Sequence, residues 1–159
     1  MKSLWFKALP VLACLLIAAG CNSHTRLGNI LVDITEYRSG QTDNQAQLTL
    51  RYTNENIFPI AIGGTTGKLY FNGEYIGKVE QNNAVGLQQL NTATRTGTLL
   101  IENPALLQKI RSSTASKVSY RLESNMRFDV GEEKMKIKTE YSGQIDANSL
   151  QAAPSVEKK

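Results

Sequence analysis

The residues able to do chemistry are few, and their placement works against most reactions. The chain has one histidine, His24, and two cysteines, Cys14 and Cys21. Acid–base work near neutral pH falls naturally to histidine, whose ordinary pKa lies close to that range. His24 sits in the polar run NSHTRLG, ahead of every patterned segment. A nucleophilic triad needs its histidine inside the fold. A zinc site needs several Cys, His or carboxylate ligands brought together. Neither can be built around His24. Glu123, Asp129 and Glu140 lie on polar strand faces. A glycosidase-type pair would need two carboxylates at a set separation, and nothing in their spacing marks one. No catalytic residue and no metal ligand is therefore assigned, and the chain is read as a non-enzyme.

Gly63-Gly64-Thr65-Thr66-Gly67-Lys68 has the look of a phosphate loop. Such a loop needs a glycine at its start, Ser or Thr after the lysine, and a helix beyond. Here Ile62 holds the first position, Leu69 follows Lys68, and the next segment alternates like a strand. The segment reads as a glycine turn between strands.

Cys21 has a different chemistry. Lys2 and Lys7 precede an apolar run from Leu12 to Ile17, which ends in Ala18-Ala19-Gly20-Cys21. Basic start, apolar middle and small-residue site describe a signal peptide too short to span a bilayer stably. Ile17 to Cys21 resembles a bacterial lipobox, departing from it at Ala18, where leucine is usual. That resemblance implies removal of residues 1–20, a diacylglyceryl thioether on Cys21, and acylation of its new amino group, commonly with palmitate. Each buried CH₂ contributes about 0.8 kcal/mol, and one chain holds only marginally, so several acyl chains anchor stably. Asn22, rather than Asp, follows the cysteine, which by the same resemblance implies the periplasmic face of the outer membrane in a Gram-negative cell. Cys14 leaves with the signal, so the mature chain has no partner for a disulfide.

Formal net charge is +4, and loss of Lys2 and Lys7 leaves +2. That is too small to argue for nucleic acid. No later apolar run has membrane-spanning length.

The elements that must position any site are mostly strands. Residues 21–28 read as a tether, 29–146 as one domain, and 147–159 as a disordered tail. Ile30, Val32 and Ile34 alternate, as do Leu48, Leu50 and Tyr52. Phe58, Ile60 and Ile62 alternate around Pro59, which confines that segment to an edge or a strand start. Asn72-Gly73 between two apolar runs predicts a tight hairpin joining strands at 67–71 and 74–79. Residues 81–94 read as loop, and 96–101 as a strand. Asn103-Pro104 predicts a capped helix with Leu106, Leu107 and Ile110 on one face. Three further alternating runs follow, centred on Tyr120, Phe128 and Ile137, with a turn at 131–133. About eight short strands and one short helix predict an all-β antiparallel sandwich of immunoglobulin or fibronectin-III type.

Two surface features stand out. Lys134, Lys136 and Lys138 share one face of their strand. They read as a solvated edge guarded against pairing, or as a contact for an anionic surface. Asn54-Glu55-Asn56 interrupts a clean strand. Asn side chains bond nearby backbone, so this reads chiefly as a turn where the strand bends or changes sheet, with a ligand or client site, or a thin hard-ion site, as the lesser readings.

The order of features resembles the late-embryogenesis-abundant type 2 family, also called the water stress and hypersensitive response (WHy) domain. The carriers are Asn54-Glu55-Asn56, against the family's Asn-Pro-Asn, then Ile57-Phe58-Pro59-Ile60 and the strand-turn Leu69 to Gly73. Glu55 departs from the family's proline, and Glu55→Pro is expected to keep or raise stability. The resemblance implies a stress-linked scaffold without catalytic residues, cofactor or small-molecule substrate. The only prosthetic group expected is the lipid on Cys21. Expected partners are the membrane, through that anchor, and protein clients. The alternative is a structural accessory recruiting one envelope partner.

Overall fold

A computed structural model describes residues 29–150, except 41, 43, 131 and 132. The segments read from sequence as signal peptide, tether and tail, with Cys21 and His24, lie outside the described residues. The strands are β1 (Ile30–Ser39), β2 (Gln45–Asn54), β3 (Ile60–Phe71), β4 (Glu74–Gln81), β5 (Val85–Leu87), β6 (Asn91–Ile101), β7 (Lys117–Val130) and β8 (Glu133–Asp146). Helix α1 (Pro104–Arg111) and a 3-10 turn (Ala147–Leu150) complete the described chain.

The architecture is antiparallel β with one short α-helix. All ladders join in one path, β1-β2-β6-β4-β3-β7-β8, with β5 added to β3. The path curls until β1 packs against β8, a nearly closed, barrel-like sheet. Alternation drives the burial. Leu48, Leu50 and Tyr52 of β2 point inward, as do Val118, Tyr120, Leu122, Met126 and Phe128 of β7. These face Ile62, Leu69, Phe71, Ile76, Val79 and Leu99 in one core.

The two edges meet without a β ladder, and side chains close the seam. The Tyr120 hydroxyl accepts from the Ile34 backbone N (3.0 Å) and donates to the Ile34 carbonyl (3.3 Å). Those are edge groups of β1, beside a register shift between Ile34 and Glu36. The shift lets Tyr37 join the inner face after Ile34. At the far end of the seam, Arg111 donates Nε to the Leu150 carbonyl (2.6 Å) and Nη2 to Ser39 Oγ (3.1 Å). Ala147 and Leu150 are buried. The packed fold thus continues through Ala147–Leu150, past residue 146 where the sequence pattern ends, because Leu150 fills the bottom of the core.

Several sequence expectations meet the structure directly. Asn72 (φ 50°) and Gly73 (φ 86°) both take the positive φ of the expected hairpin turn. Asn103 caps α1 by accepting from Leu106 N (3.2 Å), with Pro104 in the first turn and Leu106, Leu107 and Ile110 buried. Others need correction. Gly63 to Lys68 is no turn; it lies inside β3, where a register shift between Ile62 and Gly64 absorbs the extra residue. Gly67 is small for packing: a Cβ there would sit 2.7 Å from the Glu123 carbonyl oxygen. Residues 81–94 hold β5 and the start of β6. The runs around Tyr120 and Phe128 form one strand, because Ser124 continues the buried face between them at 2% exposure.

Antiparallel register fixes which elements share an end. Ile30 pairs with Asn54, Asn54 with Asn91, Ile62 with Phe128, and Phe128 with Met135. The starts of β1, β3, β6 and β8 and the ends of β2 and β7 therefore lie together. The chain enters at this end, through Asn29. Helix α1 and the 3-10 turn lie at the other.

Candidate functional site

Asn54 is the last residue of β2 and is fully buried. β2 and β3 are not ladder neighbours, so residues 55–59 must cross the end of the barrel. The Asn54 amide holds that crossing. Its Nδ2 donates to the carbonyls of Phe58 (2.9 Å) and Gln88 (3.0 Å). Its Oδ1 accepts from Asn56 N (3.0 Å) and Asn56 Nδ2 (2.9 Å). Two donors and two acceptor positions are the whole capacity of a primary amide. Nothing of Asn54 is left for a ligand.

The backbone of the knot is committed as well. Glu55 N donates to the Asn29 carbonyl (3.0 Å), and Leu90 N to the Asn56 carbonyl (3.1 Å). Hence Glu55→Pro should not stabilise the fold, contrary to the expectation from the family motif. Proline removes the N–H that Asn29 uses. A urea titration should show a loss of about 1 kcal/mol, the usual net worth of one such bond.

The loops around this knot expose apolar side chains. Ile57 is 79% exposed and Leu90 is 69% exposed. Leu90 also has φ +50°, a region that a leucine enters at a cost of roughly 1–2 kcal/mol. Ile57 entered the sequence reading only as part of the apolar run Ile57-Phe58-Pro59-Ile60, with no exposure assigned to it. Leu90 carried no signal there.

The lysine ladder begins at the same end. Lys134 pairs with Asp129, Lys136 with Arg127 and Lys138 with Asn125. The side chains of Lys136 and Lys138 are exposed. With Arg127, Asn125, Asn82 and Gly64 they line an open groove of ≈ 470 Å³ on the β3-β7-β8 face. Arg127 donates Nη2 to the Gly63 carbonyl at 2.9 Å. This cation escaped the sequence reading because only the β7–β8 register sets it beside Lys136.

Of the carboxylates weighed from sequence, Glu123 and Glu140 stand opposite each other on β7 and β8. Arg121 Nη1 lies between them, 2.6 Å from Glu123 Oε1 and 3.6 Å from Glu140 Oε2. Its guanidinium also covers the Tyr70 ring at 4.1 Å. This is an ion cluster on a strand face rather than an acid and a base poised across a substrate. Asp129 is set apart from it, six residues along β7 from Glu123 and paired with Lys134. Among the described residues, no three His, Cys, Asp or Glu are grouped to hold a metal ion. No described helix is long and apolar enough to cross a membrane.

A polar chain crosses the core. Tyr52 donates its hydroxyl to Thr65 Oγ1 (3.0 Å) and lies 3.4 Å from Gln81 Oε1, and Gln81 Nε2 donates to the Asn83 carbonyl. It ties β2, β3 and β4 across the interior.

No family model matches the chain, and no curated protein sequence matches it. Solved structures do. A protein from Archaeoglobus fulgidus is 16% identical over 74% of this chain and 94% of its own, with a TM-score of 0.45. An Arabidopsis thaliana protein is 13% identical over 76% and 78%, with a TM-score of 0.44. A protein described as late embryogenesis abundant is 14% identical over 91% of this chain and 87% of its own, with a TM-score of 0.46.

Proposed function

We propose that this chain is a lipid-anchored envelope protein. Its non-enzymatic domain protects proteins or membrane surfaces under water stress. We relate the curled sheet to the immunoglobulin-type sandwiches, and it acts as a stiff body that presents surfaces. The observation that carries the reading is the state of Asn54. The motif on which the family resemblance rests is consumed by the fold, amide by amide. Function then falls to the surface: the apolar loops at Ile57 and Leu90, and the ladder positions Lys134, Lys136 and Lys138 of β8, proposed to meet anionic headgroups or polymer. The anchor is Cys21, facing the periplasm from the outer membrane. No cofactor is required beyond that lipid.

The anchor is tested by intact mass of chain extracted from membranes. The expected species begins at Cys21 and carries one diacylglyceryl group and one further acyl chain. Cys21→Ala should lose that mass and leave the outer-membrane fraction of a sucrose gradient. A wild-type chain without lipid, or a variant still in that fraction, contradicts the anchor.

A further inference from the structure

We infer that the end of the barrel bearing Ile57 and Leu90 inserts into the lipid interface as an apolar tip. This rests on the anchor proposed at Cys21 and adds which surface meets the bilayer. Three observations converge. Ile57 and Leu90 are 79% and 69% exposed, and the Leu90 N to Asn56 O bond holds their two loops together. Leu90 is held at φ +50°. At an exposed left-handed position glycine or asparagine fits better. Leucine there serves neither the backbone nor the core, which leaves its side chain open to a partner outside the fold. Last, the chain enters the domain at Asn29, whose carbonyl accepts from Glu55 in the same loop.

The geometry limits what this end can face. Residues 21–28 span at most about 28 Å at roughly 3.5 Å each. A lipid on Cys21 thus keeps this end of the barrel near the membrane. Within the two loops Glu55 is the only charged residue; Asn56, Gln88, Gln89 and Asn91 surround the apolar pair with amides. Amide and apolar groups suit the headgroup–acyl boundary, where an apolar side chain is buried and polar neighbours stay wet. In the sequence, residues 127–136 carry Arg127, Lys134 and Lys136 against Asp129, Glu132 and Glu133. Charge there is nearly balanced, so the apolar pair rather than the lysines drives insertion.

Trp5 is the only tryptophan and leaves with residues 1–20 on lipidation, so an introduced tryptophan is a clean probe. Ile57→Trp and, as the far-end control, Thr114→Trp are prepared as lipidated mature chains in phosphatidylethanolamine–phosphatidylcholine vesicles. Quenching by brominated lipid is read after flotation, with and without phosphatidylglycerol. The expected result is blue-shifted emission and several-fold stronger quenching for Ile57→Trp than for Thr114→Trp, unchanged by phosphatidylglycerol or 0.5 M salt. Adding Leu90→Asn should reduce the quenching while leaving the unfolding midpoint equal or higher. Chains that float with both probes unquenched overturn the tip and leave the anchor standing. A blue shift without quenching means contact between copies and overturns it too. Quenching that needs phosphatidylglycerol and vanishes in salt assigns the contact to the lysine ladder instead. Chains that fail to float overturn the anchor, and the tip with it.

Discussion

Asn54→Ala should cost the domain about 3 kcal/mol or more, read as a lower urea midpoint at unchanged slope. The expectation comes from counting orphaned groups. Alanine leaves the Phe58 and Gln88 carbonyls and the Asn56 N–H without their partner. Each buried group left unpaired costs about 1–3 kcal/mol, discounted here because residues 56 and 58 are only half-buried and can reach water. Asn54→Asp is the sharper control. It keeps shape and acceptors, loses both donors, and places a carboxylate at a fully buried position. It should destabilise at least as much as alanine at pH 7 and recover partly in acid as the carboxyl becomes neutral. A harmless Asn54→Ala would return the motif to the status of an open site.

Tyr120→Phe should cost about 2 kcal/mol although it removes a single oxygen. That hydroxyl both accepts from and donates to the backbone of Ile34, and it sits where β1 and β7 have no ladder between them. Phenylalanine leaves the N–H and C=O of a 5% exposed residue unpaired. The ring stays, so a loss this large would come from the seam rather than from packing. The same burial raises the Tyr120 pKa above its usual 10.0, against the smaller, opposite pull of the Ile34 bond. Burial raises Tyr37 and Tyr52 likewise. A raised phenol favours the folded state while protonated. That contribution is whole below pH 10 and is lost as pH climbs through the folded values. Stability should therefore hold up to about pH 10 and fall beyond it. In Tyr120→Phe, starting lower, the fall should be shallower.

What the sequence made legible follows from range. Alternation and capping are local, so the inner faces of β1 and β2, the Asn72-Gly73 turn and α1 could be read from neighbours alone. The failures are long-range. Ser124 looked like a break because nothing local says that a serine can ride the buried face of a 14-residue strand. Gly63 to Lys68 looked like a turn because its glycines accommodate neighbouring backbone from β4 and β7. The end-to-end closure by Tyr120 spans 86 residues. At the surface, the Asn54 knot could be placed from the motif, but Leu90 could not. Its exposure depends on the Asn56 carbonyl that fixes its backbone.

The central claim is protective contact by an anchored domain without catalysis. It is tested most directly by co-drying a desiccation-sensitive enzyme with vesicles that carry the lipidated chain, then rehydrating and assaying the enzyme. Activity well above that recovered with bare vesicles, rising with the ratio of chain to enzyme, is the predicted result. Recovery equal to bare vesicles at equimolar and higher ratios would contradict it.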